Sequence, residues 1–262
     1  MSVRRSLFRQ AVNNPDGPAL GVWVKIPAME SVELIALAGF DFIVVDLEHS
    51  PMNLETAYRL IGTARQAGVA PIVRIPELAG GLVQRILDAG AEGIMLPHVD
   101  TVEQAEAAVR AVRFAPWGNR GVGATSRAGE WGLLERAEYL RYGQEEVILI
   151  VQIESGPAAR AAGQIASVKG VDALLVGAAD LSTSEGKGEN DPEVLELIAG
   201  AIRDTRAAGV PIGNSGGSTE ASVQRAVDDG YSFTMLSNDA TRLGMAAKAA
   251  VVAGRNVRYP KR

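Results

Sequence analysis

Two acids and a histidine close the apolar run Phe42-Ile43-Val44-Val45-Asp46-Leu47-Glu48-His49. An imidazole titrates near neutrality and can carry a proton in either direction, so His49 is the candidate acid–base group. Two later runs end in the same way: ILIVQIE closes on Gln152 and Glu154, and LLVGAAD on Asp180. An acid at the end of an apolar run must be hydrated, paired or bound to a cation, because burying it alone is costly. Oxygen donors with room for water suit Mg2+ or Mn2+. Arg74 closes Pro71-Ile72-Val73-Arg74. A guanidinium keeps its charge through any physiological pH, so it can hold a carboxylate or steady an enolate oxygen. The other open reading is a rim salt bridge to one of the two later acids. His98, after Leu96-Pro97, reads as a hydrogen-bonder on the same rim.

These residues share a position: each ends or follows a short apolar run, and eight such runs recur along the chain. The strand candidates are 20–25, 42–48, 71–75, 93–98, 147–154, 173–178, 210–214 and 232–237. Most are continuous rather than alternating, as expected for parallel strands covered on both faces. Between them lie helical patterns: Leu54, Tyr58, Ile61 and Arg65; Val102, Ala105, Val109 and Val112; Val194, Leu197, Ala201 and Thr205. Ala38-Gly39, Ala67-Gly68, Ala89-Gly90, Ala208-Gly209 and Asp229-Gly230 read as helix stops, since glycine accepts the left-handed backbone that closes a helix. Thr101 with Gln104, and Ser218 or Thr219, read as helix starts. Eight β-α units predict a (β/α)8 TIM barrel, α/β in class, as a single domain over residues 1–262, with the first ~18 and last ~10 residues peripheral. In that fold the C-terminal strand ends carry the site. An open doubly wound sheet lacks its usual Gly-rich first turn here.

Composition narrows the function. A net charge of −5 and scattered arginines argue against a nucleic-acid partner. No apolar run approaches a membrane span and no signal peptide is visible, so a cytoplasmic protein is expected. The absence of cysteine excludes thiolate chemistry. The sixth strand has no lysine for a Schiff base, and only Lys25 lies near any strand end. No Ser-His-Asp set stands on the rim. Metal-assisted chemistry is the reading left. The long irregular stretch 115–130 reads as a substrate-covering or subunit-contacting loop. Gly213-Asn214-Ser215-Gly216-Gly217 reads as a tight turn that could also meet a phosphate.

From about Gly21 to Leu243 the chain resembles the HpcH/HpaI aldolases, through FDFIVVDLEH, PIVRIP, RFAPWGNRGVG, VQIES and VGAADLS. The resemblance implies a (β/α)8 barrel, a homohexamer that exchanges its last helix, and a divalent cation: Mg2+ or Mn2+, with Co2+ and Zn2+ as further candidates. It implies Glu154 and Asp180 as metal ligands, His49 as base and Arg74 as the transition-state cation. Gln152 and the backbone around Ala178 and Ala179 would contact the substrate beside Asp180. The family acid that raises the histidine's basicity falls on Asp88, whereas the strand reading favours Asp46. The implied reaction is reversible aldol cleavage of a 4-hydroxy-2-oxo acid to pyruvate and an aldehyde. Oxaloacetate decarboxylation to the same enolate is the alternative, and a metal-dependent 2-oxo acid binder the non-enzymatic one. Two departures bear on the second substrate: Ala178 stands where the family has proline, and STSEGKGENDPE follows an unfamiliar pattern.

Overall fold

The computed structural model describes residues 4–258. Eight parallel strands close in sequence order into one barrel: β1 Ala19–Val24, β2 Phe42–Asp46, β3 Ala70–Arg74, β4 Gly93–Leu96, β5 Ile148–Ile153, β6 Ala173–Val176, β7 Ile212–Gly216 and β8 Phe233–Asn238. Around them run α1 Leu7–Val12, α2 Met29–Leu37, α3 Leu54–Ala67, α4 Gly80–Asp88, α5 Val102–Val112, α6 Arg136–Glu145, α7 Gly156–Ala166, α8 Ala178–Ser184, α9 Pro192–Ala207, α10 Glu220–Asp229 and α11 Asp239–Arg255. All eight predicted strands form, each within about two residues of its expected bounds.

Side-chain alternation along each strand divides the core in two. Phe42, Val44, Ile72, Met95, Ile150, Leu175 and Phe233 fill the barrel interior. Ile43, Val45, Val73, Ile94, Leu149 and Val151 face the helices. The same two-residue period sends Asp46, Arg74 and Gln152 inward at the C-terminal ends, and Glu154 continues it one step beyond β5. That places the sequence-predicted acids and cation at one mouth.

Helix boundaries follow the expected chemistry. Thr101 and Thr219 each form a capping box, and Gly68 and Gly230 close α3 and α10 in the left-handed region. The buried stripe of α3 is rotated from the expected one: Ala57, Leu60, Ile61 and Ala64 face the barrel, and Arg65 does not belong to it. The first eighteen residues, expected as periphery, include the barrel floor. Phe8 is buried and packs edge-on against Phe42 and Phe233, with ring centroids 5.0 and 5.4 Å away. Its backbone N–H donates to buried Glu92 at 2.7 Å. Of the last ten residues, Tyr259 to Arg262 lie outside the described ones.

The stretch 115–130 is irregular but pinned. Arg127 donates to the carbonyls of Tyr58 and Ala89 at 2.6 and 3.1 Å and stacks on the Tyr58 ring. Among the described residues no helix is long and apolar enough to cross a membrane.

Candidate active site

Asp46 is the centre of one wall of the mouth. The β2–β3 register sets it directly beside Arg74. Arg74 Nε donates to Oδ1 at 3.0 Å and Nη2 to Oδ2 at 2.7 Å, a bidentate pair. Lys25 Nζ lies 3.0 Å from Oδ2. The backbone N–H groups of Glu48 and His49 each donate to Oδ1 at 3.1 Å. Burial by itself would raise the Asp46 carboxyl, but Arg74, then the His49 backbone N–H and Lys25, hold it down at about 2. Asp46 therefore stays ionised. It fixes His49 through the main chain, while the imidazole stays exposed over 58% of the side chain with its Nε2 towards Glu48.

Arg74 is buried and lies 4.2 Å over the Trp23 ring. Its Nη1 is 3.0 Å from Glu48 Oε2. A guanidinium carries five N–H donors. Asp46 takes two with hydrogen-bond geometry and Glu48 attracts a third, leaving two without a partner named among the described residues.

Glu48 joins this wall to the other half of the mouth. Its Oε1 lies 3.1 Å from His98 Nε2, and its Oε2 lies 3.7 Å from His49 Nε2. His98 adopts φ 57, a left-handed conformation uncommon for a residue other than glycine. That backbone aims its N–H at Glu154 Oε2, 3.2 Å away, and its Nδ1 lies 3.4 Å from the same oxygen. Glu154 Oε1 accepts from Gln152 Nε2 at 2.8 Å, while Gln152 Oε1 is buried with no partner among the described residues.

Burial raises the Glu154 carboxyl above its ordinary value; His98 opposes this, and the charges of Asp180 and Glu48 add to it. Glu154 is thus a buried acid next to a second acid, with the His98 imidazole as its close basic neighbour. Asp180 reaches the site differently from expectation: it is not on a strand end. β6 stops at Val176, and Asp180 lies in the first turn of α8. The bare α-carbon of Gly177 lets the Glu154 side chain pack against it, since a Cβ there would meet Glu154 Cγ at 2.8 Å. Among the described residues no three His, Cys, Asp or Glu side chains cluster as a metal site. Two carboxylates with the remaining positions left to water or substrate oxygens fit a hard, well-hydrated divalent cation.

Ala178 and Ala179 open α8 beside Asp180. Asp88 is not brought to the mouth of its own chain. It ends α4 and pairs with Arg120 at 2.9 Å. Trp23 is the site residue that the strand pattern did not single out, while Glu48 and Lys25 stand at strand ends there without a role. The register Asp46↔Arg74 is the signal for the role of Glu48, which follows Asp46 by two and shares its side of the strand.

A closed parallel barrel with acids, one pinned arginine and two histidines at the C-terminal mouth defines an enzyme of the barrel class acting on a small polar molecule. The HpcH/HpaI aldolase/citrate lyase family model matches residues 19–246, and the chain belongs to that family. It is 34% identical to the 2-dehydro-3,6-dideoxy-6-sulfogluconate aldolase of Pseudomonas putida over 92% of this chain and 94% of that one. It is 36% identical to the 2-keto-3-deoxy-L-rhamnonate aldolase of Escherichia coli K12, covering 74% of this chain and 73% of the other. A solved HpcH/HpaI aldolase/citrate lyase family protein from Burkholderia cenocepacia J2315 superposes with a TM-score of 0.88 at 33% identity, over 95% of this chain and 99% of that one.

Proposed function

We propose that the chain catalyses reversible aldol cleavage of a 4-hydroxy-2-oxo acid to pyruvate and an aldehyde. What carries this reading is one continuous line of contacts, Asp46–Arg74–Glu48–His98–Glu154, which couples a cationic wall to a buried acidic one. The aldolase names of the relatives, over most of the chain, support the same chemistry.

In this reading Glu154 and Asp180 hold a divalent cation, Mg2+ or Mn2+ by donor type, with Co2+ or Zn2+ as substitutes. When bound, the cation supplies Lewis-acid polarisation of the 2-oxo acid and charge stabilisation of its enolate. The chain's own groups do the rest. Gln152 and the first amides of α8, at Ala178 and Ala179, orient the oxo-acid head. The free N–H groups of Arg74 face the developing enolate oxygen, and Trp23 and Asp46 keep the guanidinium from moving away from it. In cleavage the His49 imidazole takes the proton of the 4-hydroxyl; in synthesis it takes one from the pyruvate methyl. Asp46 positions His49, and the Asp88 alternative requires an acid supplied from another subunit.

The chain in this reading is a soluble cytoplasmic homo-oligomer, a hexamer, with neither nucleic acid nor membrane as partner. Support for assembly comes from α11: every residue from Ala240 to Arg255 is exposed, including Leu243, Met245, Val251 and Val252. An apolar helix face of that extent asks for a covering surface. The test of function is incubation of the Mg2+- or Mn2+-loaded protein with pyruvate and a panel of aldehydes, with products read by mass spectrometry. Metal-dependent formation of a 4-hydroxy-2-oxo acid is expected. Turnover unaffected by EDTA contradicts the reading.

A further inference from the structure

β4 ends at Leu96, and residues 97–100 lead from it to the α5 cap at Thr101. This short connection is tied twice to the end of β5. The Ser155 hydroxyl donates to the Asp100 carboxylate, and the His98 N–H donates to Glu154 Oε2 at 3.2 Å. The second tie depends on the left-handed backbone of His98, at φ 57. That conformation brings the Cβ of an ordinary residue too close to its own main chain, so it persists only where other contacts hold it.

The imidazole supplies that hold. Its Nε2 lies 3.1 Å from Glu48 Oε1, and the largely buried Glu48 stands 3.0 Å from Arg74 Nη1. Arg74 is fixed in turn by its bidentate pair with Asp46 and by the Trp23 ring. The ring of His98 is therefore anchored on a rigid wall, although 66% of its side chain is exposed. A side chain so exposed buries little apolar surface, and packing alone does not account for it.

What the anchored residue holds is one oxygen of Glu154. Oε1 accepts from Gln152 Nε2 at 2.8 Å and Oε2 accepts from the His98 N–H. A carboxylate has about four lone-pair directions, so each oxygen keeps one for a ligand. The two donors fix the plane in which those directions lie. Residues that orient a metal ligand in this way govern its affinity without touching the metal.

We propose that His98 is a positioning residue: its ring, anchored on Glu48, holds a left-handed backbone whose N–H sets the Glu154 carboxylate for the cation. This inference rests on the reading in which Glu154 binds that cation. The essential property of position 98 is then its backbone conformation, and the imidazole serves to keep it.

The test is Mn2+ binding at one fixed pH, read from the EPR signal of free Mn2+, in three variants that all lack the imidazole. His98→Ala loses the anchor and resists the left-handed backbone, so its dissociation constant should rise about tenfold or more. His98→Gly and His98→Asn lose the same anchor but accept that backbone, and should stay within about threefold of the wild type. At an ordinary backbone position alanine is tolerated better than glycine, so the reversed order is the signature of the proposed role. Each variant replaces an exposed side chain, and circular dichroism verifies that it folds. His98→Ala binding Mn2+ within twofold of the wild type overturns the inference. So does an equal weakening of all three variants, which would assign the effect to the ring and not to the backbone. Either result leaves the aldol reading standing, provided the wild type binds Mn2+ and Glu154→Gln does not. A wild type that binds no Mn2+, or Glu154→Gln that binds it as tightly, overturns the reading of the site and this inference with it.

Discussion

Replacing Asp46 by asparagine removes one charge and little else, because the amide keeps an oxygen for the Glu48 and His49 backbone N–H groups. It takes the bidentate carboxylate from buried Arg74 and leaves Glu48 as its remaining ionic partner. The size of the effect follows from the carboxyl itself, which sits at about 2 in the fold against an ordinary 3.8. At about 1.4 kcal/mol per pH unit, that difference corresponds to roughly 2.5 kcal/mol of stability at neutral pH. The group is depressed by folding, so its contribution is complete above pH 3.8 and fades as pH falls towards 2. Urea unfolding of the wild type and Asp46→Asn at pH 7, 5, 4 and 3 reads this directly. The gap between the two proteins should be roughly 2–3 kcal/mol at pH 7 and 5, then narrow steadily below pH 4. Turnover by Asp46→Asn should fall at pH 7 at the same time, since Arg74 and His49 both lean on this carboxylate. Equal stability at pH 7, or a gap that stays constant down to pH 3, refutes the assignment of Asp46 as the ionised hub of the wall.

Two further substitutions probe the other side and the floor. Gly177→Ala places a Cβ 2.8 Å from Glu154 Cγ at a backbone any residue can adopt, so its effect is steric. It should cost about 1–3 kcal/mol and raise the Mg2+ concentration for half-maximal activity by about tenfold or more; an unchanged metal titration tells against Glu154 as a ligand. Phe8→Ala empties the barrel floor, where the ring is 2% exposed between two other phenylalanines. A loss of about 3–5 kcal/mol in chemical denaturation is expected, and a loss below 1 kcal/mol would mean the N-terminal segment is indeed peripheral.

The barrel is legible in the sequence because most strands are continuous apolar runs and several helices close on a glycine, as at Gly68 and Gly230. Once the strands are aligned, the two-residue period alone brings Asp46, Arg74, Gln152 and Glu154 to one mouth. What stays hidden depends on contacts between distant segments. Phe8 sits on a six-residue helix too short to show a period, so its place under the barrel is invisible until the floor is built. Glu48 reads as an idle rim acid because its partners come from β3 and from the strained backbone at His98. Asp180 reads as a strand end because the apolar run continues past Val176 into α8 without a break. Asp88 meets Arg120 through a long irregular loop whose path no spacing rule gives.

The most direct test of the proposed chemistry needs no aldehyde. Pyruvate is incubated in D2O with the Mg2+- or Mn2+-loaded protein, and loss of its methyl proton signal is followed by NMR. Metal-dependent exchange is expected in the wild type, with near-complete loss in Glu154→Gln and in His49→Ala. Exchange that persists in EDTA, or that His49→Ala leaves at the wild-type rate, contradicts an enolate formed between an acidic metal site and a histidine base.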